Sequence, residues 1–170
     1  ALSSAASDVY KRQEKDVYYF NADGYMATGW QTVSNNKYYF NSDGKMVTGF
    51  QAINGSTYYF GKDGAMVTGL AEIGDYRYYF GSDGKMKTGW QTINNHKYYF
   101  SDNGRMLTGW LKLSTGEYYF ATNGTMCTGF TVIGENTYYF NDDGKKHTGW
   151  KTINTTKYYF DSNGIMPVSY

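Results

Sequence analysis

The residues of this chain that could do covalent chemistry are few, and their spacing matches no catalytic pattern. The sequence has one cysteine, Cys127, and two histidines, His96 and His147. A cysteine nucleophile needs a histidine base within hydrogen-bonding reach and a third group that orients the base. Cys127 and His147 instead occupy a repeated sequence position that Ala, Val, Lys and Leu fill elsewhere. We therefore predict no catalytic residues and no enzymatic activity.

Metal ions and cofactors have no better support. Histidine and cysteine form no cluster with zinc-ligand spacing. Repeated turns such as Asp43-Gly44 and Asp143-Gly144 offer one or two carboxylates each, whereas a calcium loop gathers several. Asn103, Asn123 and Asn163 replace the aspartate in three of these turns. We expect these side chains to close their own turns, and we predict no metal site and no cofactor.

The composition excludes several classes of protein. Aromatic residues make up 20% of the 170 residues, and disordered chains have few of them. The formal net charge of +1 predicts no nucleic-acid partner, because nucleic-acid-binding domains are clearly basic. No apolar run is long enough to span a bilayer, so we predict no membrane insertion. A single cysteine excludes an internal disulfide.

Aromatic rings are the remaining groups with binding chemistry. One position of the sequence recurs every 20 residues as a large apolar residue: Trp30, Phe50, Leu70, Trp90, Trp110, Phe130 and Trp150. Such rings can stack on the faces of sugars or attract a quaternary ammonium group. Phe and Leu at the same position would equally suit a packed interior. From the residues alone, this repeat position could have either a structural role or a binding role.

These rings belong to a repeat that runs without insertion or deletion from Asn21 to Phe160. It comprises seven full units with the consensus N-x-D-G-x-M-x-T-G-W-x-x-I-x-x-x-x-Y-Y-F, and partial units flank them. The segments TGWQTI and KYYF favour strands, and polar pairs such as Asn54-Gly55, Gly74-Asp75 and Asn94-Asn95 suit the tight turn between them. Because stacked hairpins bury a shared core, we predict an all-β solenoid of tandem β-hairpins.

Alternation along each strand assigns side chains to faces. The first tyrosine and the phenylalanine of Tyr-Tyr-Phe share one face, and the second tyrosine lies on the other. We expect the core to contain the phenylalanines and the Ile/Val/Leu position Val33, Ile53, Ile73, Ile93, Leu113, Ile133 and Ile153. The repeated methionine is expected to fill gaps between units. Lys146, which replaces it once, could pack its stem there.

The domain boundaries follow from the repeat. Residues 14–170 are predicted to form a single hairpin-repeat domain, which continues into a larger array beyond Tyr170. Residues 1–13 have no repeat register and no hydrophobic signal core. We interpret them as a foreign or disordered leader.

The phrase TGWQTINNHKYYF followed by SDNGRMLTGW resembles the cell-wall-binding repeat family, also called choline-binding or glucan-binding repeats. The likeness covers residues 18–170. It implies a hairpin-and-loop unit, ligands bound between neighbouring hairpins, an extracellular or bacterial-surface location, and a fused catalytic or adhesive domain. The ligand-binding residues that it implies are Trp30, Phe50, Trp90, Trp110, Phe130 and Trp150, with the second tyrosines Tyr39, Tyr59, Tyr99, Tyr119, Tyr139 and Tyr159.

One departure from this family affects the expected ligand. Choline-binding units usually read W-Y-Y, and this chain has Lys37, Thr57, Arg77, Lys97, Glu117, Thr137 and Lys157 where that tryptophan would be. A lysine at this position repels a quaternary ammonium. We therefore predict a wall polymer or glycan as the partner, with choline as the alternative ligand. Basic rungs facing an anionic polymer and a spacer without a specific ligand are further alternatives.

Overall fold

The computed structural model describes residues 9–13 and 16–167, and all of its regular secondary structure is β-strand. The strands are β1 Val9–Gln13, β2 Asp16–Phe20, β3 Gly29–Val33, β4 Asn36–Phe40, β5 Gly49–Ile53, β6 Ser56–Phe60, β7 Gly69–Ile73, β8 Tyr76–Phe80, β9 Gly89–Ile93, β10 His96–Phe100, β11 Gly109–Leu113, β12 Gly116–Phe120, β13 Gly129–Ile133, β14 Asn136–Phe140, β15 Gly149–Ile153 and β16 Thr156–Phe160. Consecutive strands pair as eight antiparallel two-stranded hairpins. The predicted all-β solenoid of tandem hairpins is confirmed.

Tight turns set the register of these hairpins. In β9 and β10, Ile93 pairs with His96, which leaves a two-residue loop. Both loop residues have positive φ, 50° at Asn94 and 64° at Asn95. This backbone matches the right-handed twist of the flanking strands, and asparagine tolerates it better than most residues. The predicted hairpin turns are therefore confirmed.

A second turn follows each hairpin. Asn41 Oδ1 accepts the backbone N–H groups of Asp43 and Lys45 at 3.0 and 2.9 Å. The Gly44 N–H donates to the Asn41 carbonyl at 2.9 Å, and Gly44 has a φ of 75°. Asn41 rather than the predicted Asp43 closes this turn, whereas Asp143 closes its own turn as predicted, accepting the Lys145 N–H at 3.0 Å.

The described residues form two compact units, one that ends at Lys87 and one that begins at Thr88. In each unit, backbone hydrogen bonds join one hairpin to the next. The Met66 N–H donates to the carbonyl of Lys37, and the Met126 N–H donates to the carbonyl of Lys97, both at 2.8 Å. The connecting segment after a hairpin thus bonds to the preceding hairpin, 29 residues back. An isolated hairpin is marginal in water, so these links and the buried rings between hairpins stabilise each unit.

The core consists of the phenylalanines that end the second strands. Phe40, Phe60, Phe80, Phe100, Phe120, Phe140 and Phe160 are at most 1% exposed. The first tyrosine of the pair is buried at Tyr58, Tyr78 and Tyr118, as its strand face predicted. The Ile/Val/Leu position is less buried than expected. Val33 and Ile53 are buried, whereas the five later members are only half-buried.

The repeated methionine fills the gap between successive 20-residue repeats, as predicted. A Cβ atom added to Gly144 would collide with the Met126 sulfur. Lys146 packs its stem against Gly164 in the equivalent way, with its Cδ 2.8 Å from such a Cβ. The glycine, which has no side chain, therefore leaves the space that the methionine or lysine of the previous repeat occupies.

The ends of the chain are described in part. Val9–Gln13 forms β1, which pairs with β2. Residues 1–8, 14–15 and 168–170 lie outside the described residues. The interpretation of residues 1–13 as a foreign leader stays a prediction, as does the continuation of the repeats beyond Tyr170.

Candidate functional site

In six of the hairpins, the first strand holds the repeated ring opposite the second tyrosine of the same hairpin. In β11 and β12, Trp110 pairs with Tyr119, and their ring centroids are 5.1 Å apart in an edge-to-face arrangement. This geometry suits the ring quadrupoles. The same cross-strand pair recurs with centroid distances of 4.8 to 5.3 Å at Trp30–Tyr39, Phe50–Tyr59, Trp90–Tyr99, Phe130–Tyr139 and Trp150–Tyr159.

The following hairpin supplies a second tyrosine contact. Tyr138 packs edge-on against Trp110 with ring centroids 5.1 Å apart, and Phe140 lies beneath at 5.8 Å. The equivalent contacts, at 4.9 to 5.1 Å, are Trp30–Tyr58, Phe50–Tyr78, Trp90–Tyr118 and Phe130–Tyr158. The junction between two hairpins within a unit is therefore a cluster of three or four rings.

These rings remain accessible although they are packed on one side. Trp30 and Trp90 are each 38% exposed, Trp110 is 43% exposed and Trp150 is 62% exposed. The phenylalanines below them are sealed from solvent. An aromatic surface with one packed face and one open face is suited to stacking on a ligand.

Two of the junction grooves share most of their lining. The Trp30 groove has a volume of about 450 Å³ and the Trp90 groove one of about 360 Å³. The same residue type lines both grooves at seven positions, which differ by 60 in number: Trp30, Gln31, Thr32, Lys37, Tyr58, Asp83 and Lys85 in the first, and Trp90, Gln91, Thr92, Lys97, Tyr118, Asp143 and Lys145 in the second. Met66 also lines the Trp30 groove and Thr115 the Trp90 groove.

The charges of the Trp90 groove are partly paired. Lys145 Nζ lies 3.1 Å from Asp143 Oδ2. The backbone N–H of Lys145, followed by its ammonium, lowers the pKa of Asp143, so this carboxylate is ionised at neutral pH. The salt bridges within residues 16–167 do not include Lys97. The groove thus offers a solvated cation beside an aromatic floor.

The Trp110 groove has the same rings and a different rim. Its volume is about 210 Å³, and it is lined by Trp110, Leu111, Lys112, Glu117, Tyr138, Lys146 and Asn163. Lys112 Nζ lies 3.2 Å from Glu117 Oε1, and the Lys146 ammonium pairs with Glu117 Oε2. A carboxylate here replaces the lysine of the other two grooves, and the groove is smaller.

The predicted ring pairs are in contact in the structure, but the residues that line the grooves differ in part from those predicted. The three grooves contain the predicted indoles of Trp30, Trp90 and Trp110, and each also contains the first tyrosine of the next hairpin. The second tyrosines contact the indoles of their own hairpins and are not among the lining residues of these three grooves. Sequence analysis missed Tyr58, Tyr118 and Tyr138. Their strand face indicated burial, and only the stacking of neighbouring hairpins places their rings beside the indole.

The described residues show no arrangement suited to catalysis or metal binding. Burial raises the pKa of Cys127, which favours the unreactive thiol. His147 lies against the rings of Tyr139 and Phe160. Residues 16–167 contain no group of three His, Cys, Asp or Glu side chains that could hold a metal ion. Within the described part of the chain, no helix is long and apolar enough to cross a membrane.

Tandem hairpins with accessible rings at their junctions are the architecture of a repetitive binding module. Family models match most of the chain: a choline-binding repeat at residues 27–68 and 87–128, and a cell wall binding repeat at residues 14–26, 68–86, 128–146 and 148–166. The chain belongs to this family of choline-binding and cell-wall-binding repeats, and its match is to a binding domain. No curated protein sequence matches it.

Solved structures of Streptococcus pneumoniae proteins share the fold. Choline-binding protein F is 32% identical, with a TM-score of 0.87, and the match covers 94% of this chain and 57% of that one. CbpJ is 31% identical, with a TM-score of 0.88, and the match covers 95% and 58%. The choline-binding domain of CbpL is 25% identical, with a TM-score of 0.69, over 95% and 87%. The chain therefore spans little more than half the length of the first two.

Proposed function

We propose that this chain is a non-catalytic module that holds an attached catalytic or adhesive domain on a bacterial cell wall. In this proposal, sugar rings of the wall polymer stack on the indoles at the hairpin junctions. The location is extracellular, at the bacterial surface or in the secreted fraction. A protein similar to this one, choline-binding protein F, has been crystallised in the presence of a peptidoglycan analogue.

The observation that carries this proposal is the close match between the linings of the Trp30 and Trp90 grooves. The Trp30 groove lies within the first compact unit and the Trp90 groove within the second. Both present an open indole, a tyrosine edge and the seven matched lining positions. Gln, Thr, Lys and Asp side chains can exchange hydrogen bonds with sugar hydroxyls, while the rings take the apolar face of the sugar. A spacer without a ligand would not need its indoles open, and they are 38% exposed.

Repetition offsets the weakness of a single groove. A shallow groove of this size binds with a Kd on the order of 1 mM, or about −4 kcal/mol. Tethered contacts to a repeating polymer can raise the overall affinity by roughly 10² to 10⁴. Several similar junctions along the chain therefore suit a polymer better than a free sugar.

Retention on purified bacterial cell walls tests the proposal. The double variant Trp30→Ala/Trp90→Ala removes both matched indoles and should reduce retention at least about tenfold, because two linked contacts are lost. Leu70→Ala is the matched control, since Leu70 occupies the same repeat position, is 47% exposed and has no ring. Equal retention of the double variant and the control would contradict the proposal.

Choline is the second candidate ligand, and the family match favours it. Choline-binding protein F has also been solved in complex with ipratropium, introduced by soaking. Lysine at the position of the expected cage tryptophan opposes it here. Lys157, at that same position, places its own ammonium 4.6 Å from the Trp150 ring centroid. Millimolar choline should leave wall retention nearly unchanged if sugar stacking dominates, and elution by choline would favour the second candidate.

A further inference from the structure

Lys146 is an exception to the repeat that the binding function does not explain. The six other full units and the partial unit after them have methionine at this position. The Lys146 side chain is only 14% exposed, and its ammonium lies 5.5 Å from the centroid of the Trp110 ring. A lysine buried to this extent loses hydration that its partners must replace.

Those partners are specific to this junction. Glu117 is the only acidic residue at its repeat position, where other units have Lys, Arg or Thr. It lies 29 residues before Lys146, and the Lys146 backbone N–H donates to the Glu117 carbonyl at 2.7 Å. Their side chains form an ion pair. Two departures from the consensus therefore meet in one groove and compensate each other's charge.

The ion pair occupies the part of the groove where a ligand cation would sit. A cation over an indole face gains from the ring quadrupole, and a carboxylate beside it adds Coulomb attraction. In the Trp110 groove both partners are present, and the Lys146 ammonium already uses them. The Trp30 groove has the opposite arrangement, with the neutral Met66 in the place of Lys146 and Lys37 in the place of Glu117.

We propose that the Lys146 ammonium is an internal occupant of the Trp110 groove that closes it to cationic ligands. Without this charge, Trp110, Tyr138 and Glu117 form a site for a quaternary ammonium ion. This inference rests on the proposed function only in treating the aromatic grooves as binding sites. Lys146 thereby determines the ligand specificity of one junction.

Calorimetric titration with tetramethylammonium chloride tests this inference on the full chain. Lys146→Met restores the residue that the other units carry and should bind the ion about tenfold more tightly than the original chain, which corresponds to about 1.4 kcal/mol and lies within the range of a cation–π contact. Lys146→Gln removes the charge and keeps a long side chain, and it should give the same gain. If the methionine variant folds poorly, Lys146→Gln tests the same inference.

Two further variants separate a site from a general charge effect. Lys145→Met removes a neighbouring positive charge from the Trp90 groove, and it should produce no gain. Lys146→Met/Glu117→Gln should lose the gain, because the carboxylate is gone. No gain in either Lys146 variant, or an equal gain in Lys145→Met, would overturn the inference. The titration uses no cell wall, so its outcome is independent of a failure of wall retention.

Discussion

The Trp90 and Trp110 grooves show how one repeated frame can hold two different sites. Their ring clusters are nearly superimposable in distance, with Trp–Tyr centroids at 4.9 and 5.1 Å across the junction and 5.3 and 5.1 Å within the hairpin. The rims differ. Lys97 faces solvent in one groove, whereas Glu117 is paired with two lysines in the other. The repeat therefore fixes the rings, and a few variable positions set the charge and the free volume.

The largest expected effect is the loss of stability when the phenylalanine beneath each indole is removed. It should be equal at the two junctions if they share the same ring packing. Phe120 lies beneath Trp90 and Phe140 beneath Trp110, and both are at most 1% exposed. Phe120→Ala and Phe140→Ala should each lower the free energy of unfolding by about 3–5 kcal/mol, because each leaves a cavity. Denaturant unfolding measures both. A cost below about 1 kcal/mol for either variant would break the comparison.

An effect of intermediate size concerns the contact between successive 20-residue repeats. Gly144 and Gly149 both have positive φ, 84° and 81°. Alanine at either position should cost about 1–2 kcal/mol from backbone strain. At Gly144 the new Cβ also collides with Met126, whereas nothing lies within 4 Å of one at Gly149. Gly144→Ala should therefore be the more destabilising of the two in thermal unfolding. The reverse order would contradict the packing of the methionine.

The smallest effect is a pH dependence specific to the Trp110 groove. Hydrogen bonds from Lys146 and then Lys112 lower the pKa of Glu117 in the folded chain. This stabilisation is complete above the unfolded pKa of about 4.3 and is lost as the pH falls through the lower folded value. Glu117→Gln should be less stable than the original chain at pH 7, by less than about 1 kcal/mol. The difference in melting temperature should shrink as the pH falls below about 4.3, and a difference that stays constant through the acid range would contradict the ion pair.

Much of this frame could be predicted from the sequence, because local rules decide it. The 20-residue period, the Asn94-Asn95 turn and the alternation in Tyr-Tyr-Phe specify the hairpin and its buried phenylalanine. The half-burial of Ile93 was not predictable from alternation, which orders the faces of a strand without fixing how far a neighbour covers them.

The groove lining was harder to predict because it combines residues from distant parts of the sequence. Tyr138 reaches Trp110 only through the placement of the next hairpin. The Glu117–Lys146 pair depends on the hydrogen bonding between a connecting segment and the hairpin before it. The sequence did indicate that both residues depart from their repeat positions. It could not indicate that the two departures meet.

The four tryptophans allow a direct test of the central claim, since each contributes one indole N–H resonance. Nuclear magnetic resonance spectra would be recorded while solubilised cell-wall fragments are added, with the signals assigned by single Trp→Phe variants. We expect the Trp30 and Trp90 resonances to shift together and saturate, and the Trp110 resonance to shift less because its groove is smaller. No shift at Trp30 and Trp90 would contradict the account.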